Sequence, residues 1–499
     1  MLKQLFGAGK PDHPLADPKE ARRLLGELSA ADPLKGLEDL AHWHESVAAA
    51  EGFRPDARIL ALISLDDAAQ PRIRKVAGAY LAAARPSRVQ ENLMWARVYE
   101  YWRQAGLAYT GSIEELERGA KGADAARPLI PQLCVRAARA VGQRLKWLHL
   151  RYGPIDGSLW RMLNGIYAFA EARGAADAKA PVHAGAAETT PRLEYLRALV
   201  LYASSPDSLL PPEVEVAERL IGELAATFEL AKAAGKQSSH WIDLAEGMAP
   251  LRLAKRPQTA PGVRFLGAAA ALRELESMIQ RIEGTRQLPA SLAGELEPEA
   301  ALALLRHLAT YWSPVPPERK HPRHHVKSRL SIVHGFEGVR GVLNGAAAEL
   351  ARGAENWIVE NVSAGGFGAV VPQAKGDWLK IGALLAMQPD GGNNWVVGMV
   401  RRVSKISSQE SRVGIQTLSR APELAHFSVR GNAEEGVLLP APGVGMGETT
   451  IALRSGVFVA GQNLESARAG RSYMYLPQGL SERGEDYDIV RFREMIREA

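Results

Sequence analysis

Two short clusters hold residue types suited to gripping an anionic ligand that also carries hydrogen-bonding edges. Arg319, Lys320, His321 and Arg323 lie in the segment Arg319-Lys-His-Pro-Arg323, and Asn361, Ser363, Gly365 and Gly366 lie in Asn361-Val-Ser-Ala-Gly-Gly366. A guanidinium can fork onto a phosphate or onto the O6/N7 edge of a guanine, and its plane can stack on a base. Two arginines four positions apart on an entry segment can close over such a ligand together. The amide of Asn361 and the hydroxyl of Ser363 can serve a base edge or a phosphate oxygen. Gly365 and Gly366 let the backbone turn tightly and approach closely, with no Cβ in the way. His321, inside the arginine segment, could touch the same ligand, and Lys320, Lys327 and Arg329 add positive charge nearby.

Other candidate chemistry falls away on inspection. Phe6-Gly-Ala-Gly-Lys10 has Gln4 where a phosphate loop needs glycine, and Pro11 where it needs Ser or Thr. Gly443-Val-Gly-Met-Gly447 lacks the strand-then-helix context of a dinucleotide fold and reads as a loop. The histidine groups His321, His324, His325 and His42, His44 have neither cysteine partners nor helix-spaced ligands, so no metal site is expected. No nucleophile elbow, paired-carboxylate motif or zinc-hydrolase helix is present, and residues 1–312 support no reaction class. The chain is expected not to be an enzyme and to need no cofactor. The single cysteine, Cys134, excludes an intrachain disulfide and reads as a buried thiol in Leu133-Cys-Val135.

The elements that must position these clusters change period along the chain. From residue 16 to about 312 apolar residues recur at helical steps, as in Leu159, Met162, Leu163, Ile166 and Phe169, or Leu272, Leu275, Met278, Ile279 and Ile282. Asp17-Pro18 opens one helix, and Gly153-Pro154 and Gly284 close others. Roughly ten to fourteen helices joined by short loops are expected, forming an all-α bundle or an irregular stack of hairpins. No fixed repeat is evident. The aromatic helix around Met94, Trp95, Val98, Tyr99, Tyr101 and Trp102 reads as core, and 174–191 as a flexible surface loop.

Ser313-Pro-Val-Pro-Pro317 then forms a stiff linker. Beyond it come short, β-branched runs: Leu330 and Ile332, Trp357-Ile-Val359, Ala369-Val-Val371, Trp395-Val-Val397 and Val413-Gly-Ile415. Gly-rich turns separate them, the pattern of a small barrel or sandwich. Gly338 to Gly353 is expected as a loop or short helix. Thr449 to Val459 continues the strand pattern, and Asp488 to Ala499 reads as helical. The fold class is thus α+β and multidomain: an all-α domain over 1–312, a small antiparallel barrel over 313–425, and a β-rich extension over 426–499 that could be a degenerate second barrel.

With both clusters in order at a linker-to-barrel boundary, the chain resembles the PilZ domain family. The first cluster matches its RxxxR signature and the second its (D/N)xSxxG signature. Trp395-Val-Val-Gly-Met-Val-Arg-Arg402 and Arg412-Val-Gly-Ile-Gln416 are similar to its later strands. The resemblance implies binding of the second messenger cyclic di-GMP, with ligand contacts at Arg319, Arg323, Asn361, Ser363 and Gly366. It implies a bacterial signalling protein acting on motility, surface attachment or exopolysaccharide. The expected receptor passes ligand binding to an unidentified protein partner through the helical domain. Two alternatives stand beside it, an adaptor barrel that binds no nucleotide and an enzyme regulated by the barrel.

The bulk composition sets outer limits. A chain of 499 residues exceeds one ordinary core, and 46% hydrophobic with 23% charged residues is usual for a globular protein. A net charge of +5, with basic residues interspersed among acidic ones in the helical half, argues against nucleic-acid binding. The N-terminus is not expected to be a signal peptide, because Gly7, Gly9 and Pro11 interrupt it. No run of about 18 uncharged apolar residues occurs, so no membrane span is expected. The expected location is cytoplasmic.

Overall fold

The computed structural model describes residues 11–497 apart from 29–31, 83–86, 255–256, 258–259, 290–291, 293–295, 317–320, 346–353, 373, 375, 430, 441–446 and 469. Two compact units are formed, 1–151, 155–206 and 211–317 in the first and 152–154, 207–210 and 318–499 in the second. The first is built on eleven α-helices among the described residues, from Pro18–Glu27 to Pro298–Trp312. Their starts are written locally. Asp17 and Asp32 accept hydrogen bonds from first-turn amides, with Pro18 and Pro33 at the first helical position. Ser87 and Gln90 form a reciprocal capping box at the head of Arg88–Glu117.

That longest helix and its neighbours enclose a polar knot within the apolar core. Arg136, 1% exposed, donates to Asp66 at 2.9 Å and to Asp67 at 2.8 Å, and the Tyr101 hydroxyl donates to Asp66 at 2.7 Å. The aromatic helix behaves as core: Met94, Val98, Tyr101 and Trp102 are buried. Cys134 is buried as well, and burial pushes its thiol up to about 12.

Two features of this unit depart from the sequence reading. Four short strands, in the order Glu229–Ala231, Val263–Gly267, Ser238–Asp243 and Leu251–Arg252, form an antiparallel sheet within the helical region. At two to six residues each, they are too short to override the helical period around them. The segment 174–191 is partly packed: Ala175, Ala176 and Ala180 are buried, and Ala180–Pro181 pairs with Glu188–Thr189.

The second unit contains two closed six-stranded barrels. The first comprises β1 (His324–His334), β2 (Glu355–Ser363), β3 (Gly366–Pro372), β4 (Leu384–Pro389), β5 (Val396–Lys405) and β6 (Glu410–Ser419). The second comprises β7 (Glu423–Val429), β8 (Asn432–Leu438), β9 (Glu448–Arg454), β10 (Leu464–Arg468), β11 (Arg471–Arg483) and β12 (Tyr487–Arg497). Around the first barrel the order is β1-β2-β3-β6-β5-β4, and around the second β7-β8-β9-β12-β11-β10, so the winding is the same. The β-rich tail is therefore a complete barrel. Strand β12 corrects the helix expected from Asp488 onward. It pairs on one side with β9 and on the other with β11, burying Ile489, Val490 and Phe492. Its Arg, Glu and Met residues favour helix locally, and sheet pairing on both edges overrides them.

Period-two alternation divides the strands between two cores. Leu330, Ile332, Leu385, Met387, Val400, Val413 and Trp357 fill the first barrel. On the opposite faces Val333, Leu384, Ala386, Val397 and Met399 meet Val437, Leu439, Ala452, Tyr487 and Ile489 of the second barrel. The short helix Gly335–Leu343 inserts Phe336, Val339 and Val342 into this shared layer. The Phe336 amide donates to Asp486 at 2.7 Å, Tyr487 donates to the Gly382 carbonyl at 2.5 Å, and Arg401 forks onto Glu482 at 2.8 Å through each nitrogen. The two barrels are one packed body.

Candidate functional site

Strands β1, β2, β3 and β6 converge at one rim of the first barrel. His324 pairs with Val362, so extending the register by one residue sets Arg323 across from Ser363. The second cluster is the β2–β3 turn: Asn361 and Ser363 lie at the end of β2, and Gly366 begins β3. Elements far apart in sequence thus bring Arg323 and the Asn361–Gly366 turn side by side. Arg319 and Lys320 lie outside the described residues, as do the loop candidates Phe6–Lys10 and most of Gly443–Gly447.

Each residue of the turn has a local reason for its type. The Ser363 hydroxyl donates to the Gly366 carbonyl at 3.3 Å, tying the turn across its base. The Thr417 amide, on β6, donates to the Gly365 carbonyl at 3.0 Å. A Cβ on Gly366 would fall 1.9 Å from the Ile415 carbonyl oxygen, so only glycine lets β3 pass β6 there. A Cβ on Gly365 would lie 3.2 Å from Cδ2 of His321, which places the imidazole directly over the turn. His321 is the described residue that carries the arginine segment onto the second cluster.

Two contributors carry no signal in the motifs. A Cβ on Gly368 would lie 2.7 and 2.8 Å from the amide nitrogen and oxygen of Asn361. The Asn361 side chain therefore rests on the cross-strand surface that Gly368 leaves open. A register irregularity between Val359 and Asn361 brings Asn361 opposite Gly368. Arg420, just past β6, reaches back over the turn and donates through Nη2 to the carbonyls of Ser363 at 3.5 Å and Ala364 at 3.3 Å. The glycine becomes legible only once the strand pairing is known, and the arginine only once β6 is seen beside β3.

The rim is open and positive. His321, Arg323, His324 and His325 at the rim, and Lys327 and Arg329 farther along β1, are exposed, and among the described residues none of these has an ion-pair partner. Neighbouring cations on β5 and β6 are committed: Arg412 pairs with Glu360 at 3.1 Å, and Arg401 is held by Glu482. An anion arriving at the turn meets unneutralised guanidinium and ammonium groups together with amide, hydroxyl and backbone donors.

Residues 19–234 match the family described as cyclic-di-GMP receptor FimW, N-terminal domain, and residues 351–423 match cyclic-di-GMP receptor FimW, middle PilZ domain. The second match spans β2 to β6. The arginine segment and β1 precede it. The first match covers most of the helical region, which its sequence pattern alone leaves without a family. No curated protein matches the chain. Among the described residues, no helix is long and apolar enough to cross a membrane.

Proposed function

We propose, from the premise that this chain carries a FimW-type N-terminal domain followed by a PilZ barrel, that it is a receptor for cyclic di-GMP. The supporting observation is His321 lying over the Asn361–Gly366 turn, with the strand register setting Arg323 across from Ser363, two segments that sequence separates and the barrel joins. In this reading Arg319 and Arg323 grip the phosphates and guanine edges, with Lys320 and His321 beside them. Asn361 and Ser363 supply amide and hydroxyl groups, and Gly365 and Gly366 let the ligand approach the backbone. The role is that of a non-enzymatic signalling protein in the cytoplasm. Gripping by Arg319 and Arg323 restrains segment 313–323, which joins the two units in sequence, and the helical unit passes the change to a protein partner. A ligand favouring one arrangement of that segment shifts its population.

Calorimetric titration of the full chain with cyclic di-GMP tests this, run beside the double variant Arg319→Ala/Arg323→Ala. A charge-assisted hydrogen bond contributes about 1.5–3 kcal/mol, so losing two arginines weakens binding by roughly two orders of magnitude or more. Binding by the wild-type chain that vanishes in the variant is the expected result. A folded wild-type chain that binds nothing would sink the receptor reading and leave a barrel that docks protein. Binding that survives both substitutions would move the site elsewhere.

A further inference from the structure

We propose that Arg420 is a third cationic arm of this site, contacting a phosphate or guanine edge of the bound cyclic dinucleotide. The inference rests on the receptor reading above. The strand register sets Arg323 across from Ser363 on the β1 side, and the Arg420 guanidinium reaches the same residue from the β6 side, so the two residues flank the turn. Only Nη2 of Arg420 is engaged, and both of its bonds, to Ser363 and Ala364, are long at 3.5 and 3.3 Å. The remaining guanidinium nitrogens make no hydrogen bond among the described residues, and the side chain is exposed.

Charge bookkeeping on the same rim separates Arg420 from its neighbours. Arg401 and Arg412 have carboxylate partners in Glu482 and Glu360, whereas Arg420 has only neutral carbonyls. A guanidinium that rests one edge on the turn keeps its other edge for a fork onto an incoming anion. The carbonyl contacts hold that plane beside Ser363 before the ligand arrives, so less side-chain freedom is lost on binding. Arg420 also lies in the short connection between β6 and β7. There the Ser419 hydroxyl donates to the Pro440 carbonyl at 2.8 Å and accepts from the Ala421 amide at 3.2 Å. The third arm therefore places the ligand against the junction of the two barrels.

Cyclic di-GMP titrations of the full chain with Arg420→Ala, Arg420→Gln and Arg420→Lys test the assignment, with thermal melts to establish folding. Glutamine retains an amide donor for the turn carbonyls and lacks the charge. A ligand contact predicts about tenfold or greater weakening in both Ala and Gln variants, an intermediate loss in Lys, and a shallower salt dependence in Gln than in wild type. Wild-type affinity in the Gln variant would reduce Arg420 to a tether of the turn and overturn the proposal, as would wild-type affinity in all three. A wild-type chain that does not bind at all is a separate outcome, in which the receptor reading fails and this inference falls with it.

Discussion

Glycines at the rim act through the atoms they omit, and two of them separate folding from recognition. At Gly366 an added methyl would collide with the Ile415 carbonyl at 1.9 Å, and backbone must move to admit it. Gly366→Ala is expected to cost on the order of 1–3 kcal/mol, read as a lowered urea midpoint. At Gly368 the methyl would meet the Asn361 amide instead, a side chain free to swing away. Gly368→Ala is expected to leave the midpoint nearly unchanged while weakening cyclic di-GMP several-fold. Equal losses of stability in the two variants would contradict this division. The motif residues themselves were legible because their chemistry is written in type and spacing. Gly368 and Arg420 were not, because their meaning depends on which strands lie alongside, and pairing partners have no fixed distance in sequence.

Among the elements, the short helix Gly335–Leu343 bears the most on the second unit. Phe336 is 1% exposed and packs within the layer shared by both barrels, while the helix surface pairs Arg340 with Glu435 and Arg454 with Glu337 at 2.6 Å. Truncating a buried phenylalanine costs about 3–5 kcal/mol. Phe336→Ala should lower the denaturation midpoint of both barrels together, followed by tyrosine and tryptophan fluorescence. A drop confined to one barrel would show that the shared layer does not couple them. The sequence from Gly338 to Gly353 fits either a loop or a short helix, because its glycines and alanines weaken any periodic signal there. The terminal strand β12 departs from its sequence pattern for the opposite reason. Its residues signal helix clearly, and the sheet overrules them only through contacts with β9 and β11. By contrast, the β-branched runs of β1, β2, β3, β5 and β6 match strands, and outside the small sheet between Glu229 and Gly267 the helical period before residue 312 holds, because separate segments repeat each pattern.

Across the whole molecule, the helical unit carries an acid sensitivity of its own. His44 is fully buried against Tyr101 and Tyr109, and burial, then the nearby Arg136 charge, lowers its pKa to about 3. His240 is lowered to about 4, again chiefly by burial and then by Arg252. Both stay neutral in the folded chain, whereas the unfolded chain protonates them below about pH 6.5. The unfolded state then holds more protons, so stability is full above about 6.5 and falls on acidification toward those lower values. The slope is at most about 1.4 kcal/mol per pH unit for each group. His44→Phe should flatten the stability profile of the helical unit between pH 6.5 and 5, and an unchanged slope would remove His44 from the account. The barrels raise a question of descent. Val397 and Met399 of the first share a layer with Val437 and Ile489 of the second, and close-packed layers tolerate exchanges best when total volume is kept. Neither barrel can drift alone at these positions. As such chains diverge, a larger residue on one side of the layer should be inherited with a smaller one facing it, so the pair of barrels evolves as one hereditary unit.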